Sequence, residues 1–155
     1  MKLEKTYFIK PAEAFDANKL DYAPMFRKRF TIGEVTEHAV LSLCTLGCGQ
    51  CYINGKRLDG DMFCSPVSNY NKTIWYRNYD VTDMLHVGEN IIAVWCGNSW
   101  FNEAMDAPGD YDEAAWRDIP KMAMALEVNN QLTLTSDDSW KYTLNTPITY
   151  NQLRG

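Results

Sequence analysis

Asn54-Gly55 constrains this chain more than any other pair of neighbours. Both residues accept positive φ, and two in succession fit the type I′ turn, whose twist matches the strands it joins. The flanks agree. Gln50-Cys51-Tyr52-Ile53 is an apolar run of strand length, and Lys56-Arg57-Leu58 supplies the return. The pair therefore predicts a tight antiparallel hairpin across residues 50–58.

The rest of the chain repeats the theme of short runs between turn signals. Residues 4–9 fit a short edge strand ended by Pro11, and residues 12–24 form a mixed lead-in broken by Pro24. Met25 to Ile32 places Phe26 and Phe30 on one strand face, with Lys28 between them. In Ala39 to Leu46, Val40, Ser42, Cys44 and Leu46 face one side, with Leu41, Leu43 and Thr45 opposite. Gly47-Cys48-Gly49 then permits a bend or bulge.

Past the hairpin, a polar loop runs from Asp59 to about Asn71, and Thr73 to Tyr79 is β-branched and aromatic, hence a strand. Asp80 to His86 reads as a brief helical turn capped by Asp80 or Thr82, with Gly88 as its positive-φ exit. Residues 91–96 are almost wholly apolar, which predicts a strand buried on both faces with Trp95 in the core. Residues 97–120 form a long acidic loop, of the kind that is functional or covers a sheet end. Met122, Met124, Leu126 and Val128 mark a half-buried strand, Asn129-Asn130 turns the chain, and Leu132 and Leu134 lie on the return. Trp140 to Leu144 is the last strand. Such spacing predicts an all-β antiparallel β-sandwich with one or two short helical turns. Its divisions are a lead-in over 1–24, the sandwich over 25–145, and a connecting segment over 146–155.

At 155 residues the chain suits one domain with a substantial core, and 46% hydrophobic and 23% charged residues are ordinary for a globular protein. A net charge of −5 argues against nucleic acid or an anionic membrane unless the basic residues cluster; Arg27-Lys28-Arg29 reads as a solvated strand face. The five cysteines (Cys44, Cys48, Cys51, Cys64, Cys96) form no regular framework. Cys48-x-x-Cys51 lacks a second ligand pair for zinc and the βαβ context of a redox site. Buried free thiols are expected, which favours a reducing compartment. The amino-terminal MKLEKTYFIK has no signal-peptide core, so a cytoplasmic location is expected, the alternative being periplasmic or secreted after removal of a signal.

Several landmarks occur in a fixed order: Asn54-Gly-Lys-Arg57, Tyr76-Arg-Asn-Tyr-Asp-Val-Thr82, Gly88-Glu-Asn90 and Gly97-Asn-Ser-Trp100. With Ala23-Pro-Met-Phe-Arg-Lys28, Ala115-Trp-Arg117, Ser136-Asp-Asp-Ser-Trp-Lys141 and Thr146-Pro-Ile-Thr-Tyr-Asn151, the set resembles the amino-terminal sandwich domain of bacterial α-L-rhamnosidases. Ser65-Pro-Val-Ser-Asn-Tyr70 stands where that family carries a Trp-containing loop, and departs from it at Val67. The resemblance implies a jelly-roll-like, galactose-binding-like sandwich, and a piece of a larger enzyme. Catalysis would then lie in a separate carboxy-terminal helical barrel, the partner in cis, acting by inversion.

Sugar recognition needs amides and carboxylates beside an aromatic platform, because sugars present hydroxyls around an apolar ring face. Two loops supply that mixture, Ser68-Asn69-Tyr70-Asn71 and Asn98-Ser99-Trp100-Phe101-Asn102. Related domains bind L-rhamnose with calcium, so the resemblance points to Ser68, Asn69, Tyr70, Asn98 and Trp100 as carbohydrate contacts. Calcium takes several oxygen ligands, and Asp106, Asp110 and Asp112 are candidates without the spacing of an EF-hand. No cofactor is otherwise required, and no catalytic residue is assigned. The expected function is a non-catalytic accessory domain binding L-rhamnose or a rhamnose-containing glycan, with no nucleic-acid or membrane partner. The alternative is a structural domain that packs on the catalytic barrel and shapes its cleft.

Overall fold

A computed structural model describes residues 6–58, 66–103 and 114–152. Among these residues nine strands follow one another: β1 Met25–Ile32, β2 Ala39–Leu46, β3 Cys48–Ile53, β4 Lys56–Arg57, β5 Arg77–Asp80, β6 Gly88–Gly97, β7 Lys121–Val128, β8 Gln131–Thr135 and β9 Lys141–Thr143. They form a five-stranded sheet, β4-β3-β6-β1-β9, and a four-stranded sheet, β5-β2-β7-β8. Every pairing is antiparallel. The expected all-β sandwich is the fold found.

Between the sheets, Phe26, Ile53, Ile92 and Val94 meet Leu41, Leu43, Met122, Met124 and Leu126, all essentially sealed from solvent. Asn54 and Gly55 adopt φ of 52° and 80°, as their hairpin requires, and Asn129 and Asn130 make the second such turn at 49° and 65°. Gly88 has φ 101°, the exit expected after the helical turn. That turn is a 3₁₀ stretch over Thr82–Met84. Asp80 Oδ1 accepts from the Thr82 amide at 3.0 Å and from its hydroxyl at 2.7 Å. Those bonds hold the Asp80 carboxyl below the usual range.

Asn54 does more than turn the chain. Its amide donates to the Met84 carbonyl at 2.9 Å and to Asn90 Oδ1 at 2.8 Å, and its Oδ1 accepts from the Ile91 amide at 2.9 Å. Asn90, fully buried, donates in turn to the His86 carbonyl at 2.7 Å and the Gly88 carbonyl at 3.1 Å. Two of the landmarks, Asn54-Gly55 and Gly88-Glu-Asn90, thus form one network that fastens the hairpin to the 3₁₀ turn.

Several expectations need correction. β6 is not buried on both faces: Asn90, Ile92, Val94 and Cys96 point inward, while Ile91, Ala93 and Trp95 are half-buried on the outer face. A sandwich covers one side of each sheet, so Trp95 lies outside the core. The strand expected over 73–79 is shortened to β5, because Thr73 is held in a turn by a bridge to Asn69. The last strand loses Trp140 and Leu144. Of the proposed first edge strand, Ile9 forms an isolated antiparallel bridge to Met122, with amide bonds of 2.9 and 3.1 Å. Cys48 and Cys51 fall on opposite faces of β3, as residues three apart on a strand must, and so cannot act as a pair. Cys44, Cys51 and Cys96 are buried free thiols and Cys48 is half-buried; Cys64 lies outside the described residues.

Candidate functional site

The two polar loops meet. In the first, the Asn69 carbonyl accepts from the amides of Lys72 and Thr73 at 2.8 and 2.9 Å, closing a tight turn that exposes the Asn69 side chain. Ser68 Oγ accepts from the Trp75 amide at 3.3 Å and donates to the Pro66 carbonyl at 3.2 Å, so this hydroxyl shapes the loop. Tyr70 leaves the turn toward the second loop, edge-on to Phe101 with ring centroids 5.2 Å apart. It also meets Trp116 at 5.9 Å. Lys121 Nζ sits 5.7 Å from the Phe101 ring centre.

The second loop is a single 3₁₀ turn, Ser99–Phe101, directly after β6. Ser99 takes φ 47°, a left-handed conformation uncommon for serine. The chain reverses there, which returns Asn102 Nδ2 to within 3.0 Å of Asn98 Oδ1. Asn98 is wholly buried. Its own amide donates to the Asn151 carbonyl at 2.8 Å and reaches the Leu20 carbonyl at 3.5 Å. Asn102, equally sealed, accepts from Arg117 Nε at 3.2 Å. Asn151 closes the knot: its amide donates to the Tyr22 carbonyl at 2.6 Å, and its backbone N–H donates to Leu20 at 2.8 Å. One cluster therefore binds the lead-in, the end of β6 and the segment over 146–152.

Of the five residues expected to touch carbohydrate, Ser68, Asn69 and Tyr70 share the first loop, and Trp100 lies half-buried in the second. Asn98 is different, because its side-chain groups are spent inside the protein. The asparagine that reads as a ligand contact is a scaffold in this structure. Asp106, Asp110 and Asp112 lie outside the described residues. Among the described residues, no group of three His, Cys, Asp or Glu side chains could hold a metal ion.

Three residues at or beside this end were not among the expected contacts. Trp116 comes from the long acidic loop, where no periodicity fixes a side chain. Trp75, 57% exposed, sits on the loop flank rather than in a strand. Glu103, fully buried, follows Asn102 in an otherwise unpatterned stretch.

Residues 34–154 match the alpha-L-rhamnosidase N-terminal domain family. The chain belongs to that family. An alpha-L-rhamnosidase of Formosa agariphila is 29% identical over 140 residues, covering 86% of this chain and 14% of the relative. This rhamnosidase N-terminal domain thus spans a small part of the curated relatives it matches, which are glycoside hydrolases. A solved alpha-L-rhamnosidase from Dictyoglumus thermophilum superimposes with a TM-score of 0.78 at 28% identity, covering 98% of this chain and 18% of that one. The alpha-L-rhamnosidase of Streptomyces avermitilis, solved in complex with L-rhamnose, gives 0.73 at 26% identity over 86% of this chain and 13% of its own.

Proposed function

We propose that this domain is a non-catalytic accessory module of an alpha-L-rhamnosidase-like glycoside hydrolase, and that its loop end binds rhamnose-containing carbohydrate. The observation that carries this reading is the meeting of Tyr70 with Phe101 and Trp116, beside the exposed Asn69. Phe101 is sealed and backs the site, so an apolar ring face can rest on the half-buried Tyr70 and Trp116 while amide and hydroxyl groups select its oxygens. The L-rhamnose complex of the Streptomyces avermitilis relative supports the choice of sugar. Asn69, Tyr70 and Trp100 make the contacts, Ser68 shapes their loop, and Asn98 with Asn102 holds the frame. Calcium enters this proposal through Asp106, Asp110 and Asp112. Inverting hydrolysis uses two carboxyl groups about 6.5–9.5 Å apart, and we assign that step to another part of the longer protein.

Calorimetry with L-rhamnose, in calcium and again in chelator, tests the reading. Binding weakened about tenfold or more by Asn69→Ala supports it. Flat isotherms under both conditions defeat it. A second reading, a domain that packs on the catalytic part, draws on a shallow depression of about 290 Å³ lined by Ala23, Gln50, Trp95 and Ile148. Such an apolar hollow suits a neighbouring domain.

A further inference from the structure

The outer face of the five-stranded sheet carries a charge pattern that the fold does not need. The register places Lys141 of β9 opposite Arg27 of β1, Arg27 beside Ala93 of β6, Ala93 beside Tyr52 of β3, and Tyr52 opposite Arg57 of β4. One row crosses all five strands, about 19 Å from end to end at ~4.8 Å per step. Arg29, two residues along β1 from Arg27, adds a fourth cation to the same face.

Four exposed cations thus share this face; Glu89 lies 3.8 Å from Arg29, and at the β9 end Asp137 lies 3.9 Å from Lys28 and accepts from Ser139. The concentration is notable in a chain with 20 acidic and 15 basic residues. Arg27, Arg57 and Lys141 form no ion pair with any described residue. Arg27 and Lys141 stand directly across from each other, where like charges destabilise a sheet. Nothing in the folding of the sandwich favours that pair.

The shape suits an extended ligand. Ala93 leaves a low floor between Arg27 and Tyr52, and the half-buried Trp95 and Ile91 flank it along β6. At one end Arg27, Lys28, Arg29, Ser139 and Lys141 line a pocket of about 360 Å³. Guanidinium groups match carboxylates in bidentate geometry, and an aromatic neighbour supports a sugar ring.

We propose that this face is a second binding surface, separate from the loop end, for an anionic, uronate-bearing polysaccharide lying along the Lys141–Arg27–Tyr52–Arg57 row. A glycan is favoured over nucleic acid or an acidic protein because the relatives that share this N-terminal domain are alpha-L-rhamnosidases. Its aromatic groups are also half-buried beside the cations rather than projecting as base-stacking platforms.

Affinity electrophoresis of the 155-residue chain through gels containing polygalacturonate tests this. Retardation is expected in polygalacturonate, is lost in its fully methyl-esterified form, and weakens as salt rises. Arg27→Glu converts the repulsive cross-strand pair into an attractive one, so this variant folds at least as well as the parent and separates lost binding from lost structure. Arg27→Glu with Arg57→Glu should weaken retention about tenfold or more, whereas Asn69→Ala leaves it unchanged. The proposal is overturned by absence of retardation, by equal retardation in the esterified polymer, or by indifference to charge reversal. Equal or stronger binding to poly-glutamate or single-stranded DNA overturns it too, in favour of an acidic protein or nucleic-acid partner.

Discussion

Asn98→Ala should cripple the stability of the domain, although its sequence context suggests a surface ligand contact. Removing the amide leaves two groups without their partner: the Asn151 carbonyl, which it met at 2.8 Å, and Asn102 Nδ2, which met its oxygen at 3.0 Å. An orphaned buried polar group costs about 1–3 kcal/mol. Asn151 is half-buried, so water can partly rescue its carbonyl, whereas Asn102 is sealed. The 3.5 Å contact to Leu20 adds little. The total is about 2–4 kcal/mol, and for a domain of this size each kcal/mol moves Tm by about 2–4 °C, so a fall of roughly 5–15 °C is expected. Urea denaturation should show the midpoint falling at constant slope. Asn69→Ala, at an exposed side chain, should stay within about 0.5 kcal/mol of the parent. If Asn98→Ala matches Asn69→Ala in both stability measurements, the scaffold assignment is wrong.

Two further perturbations probe other parts of the frame. A Cβ at Gly47 would lie 2.0 Å from the Gly97 carbonyl oxygen at φ 102°, so Gly47→Ala should cost about 3 kcal/mol or more; a thermal melt within 2 °C or so of the parent refutes this. Asp118 is bound by Lys10 at 2.7 Å and Lys121 at 2.6 Å. Burial, the largest single effect, works to raise its pKa, but the bonds from Lys10, Lys121 and the Ile119 amide together hold it below the ordinary range. A depressed folded-state pKa stabilises above the unfolded value of about 4 and loses that stability as pH falls through the folded one. Asp118→Asn should therefore flatten the decline in urea midpoint as pH falls below about 4, the unfolded carboxyl value, and an unchanged profile counts against it.

The fold was legible wherever a local rule acts alone. Asn54-Gly55 and Asn129-Asn130 announce their turns because few other residues accept that backbone, and alternation along β7 shows which side chains face inward. Strand faces were harder. Ile91, Ala93 and Trp95 are apolar on the outer face, and hydropathy does not distinguish cover by a second sheet from cover by neighbouring side chains. The site was legible in outline: Tyr70 and the 98–102 loop do meet. Asn98 misled because an asparagine buried by three other segments looks, in sequence, like one offered to solvent. Trp116 reaches Tyr70 across a stretch whose placement is tertiary, and the row from Lys141 to Arg57 exists only once four connections have been folded away.

The knot at Asn98 also bears on how this domain is mounted. Because Asn151 is hydrogen-bonded to both Leu20 and Tyr22, the segment over 146–152 is anchored to the sandwich rather than hanging from it. Polypeptide continuing past that anchor starts from a fixed point. A tethered module samples its surroundings at an effective concentration set by linker length and stiffness; one anchored here takes its orientation from the clasp. Loosening Asn98 or Asn151 would then change the reach and aim of the module even where its own surface is untouched.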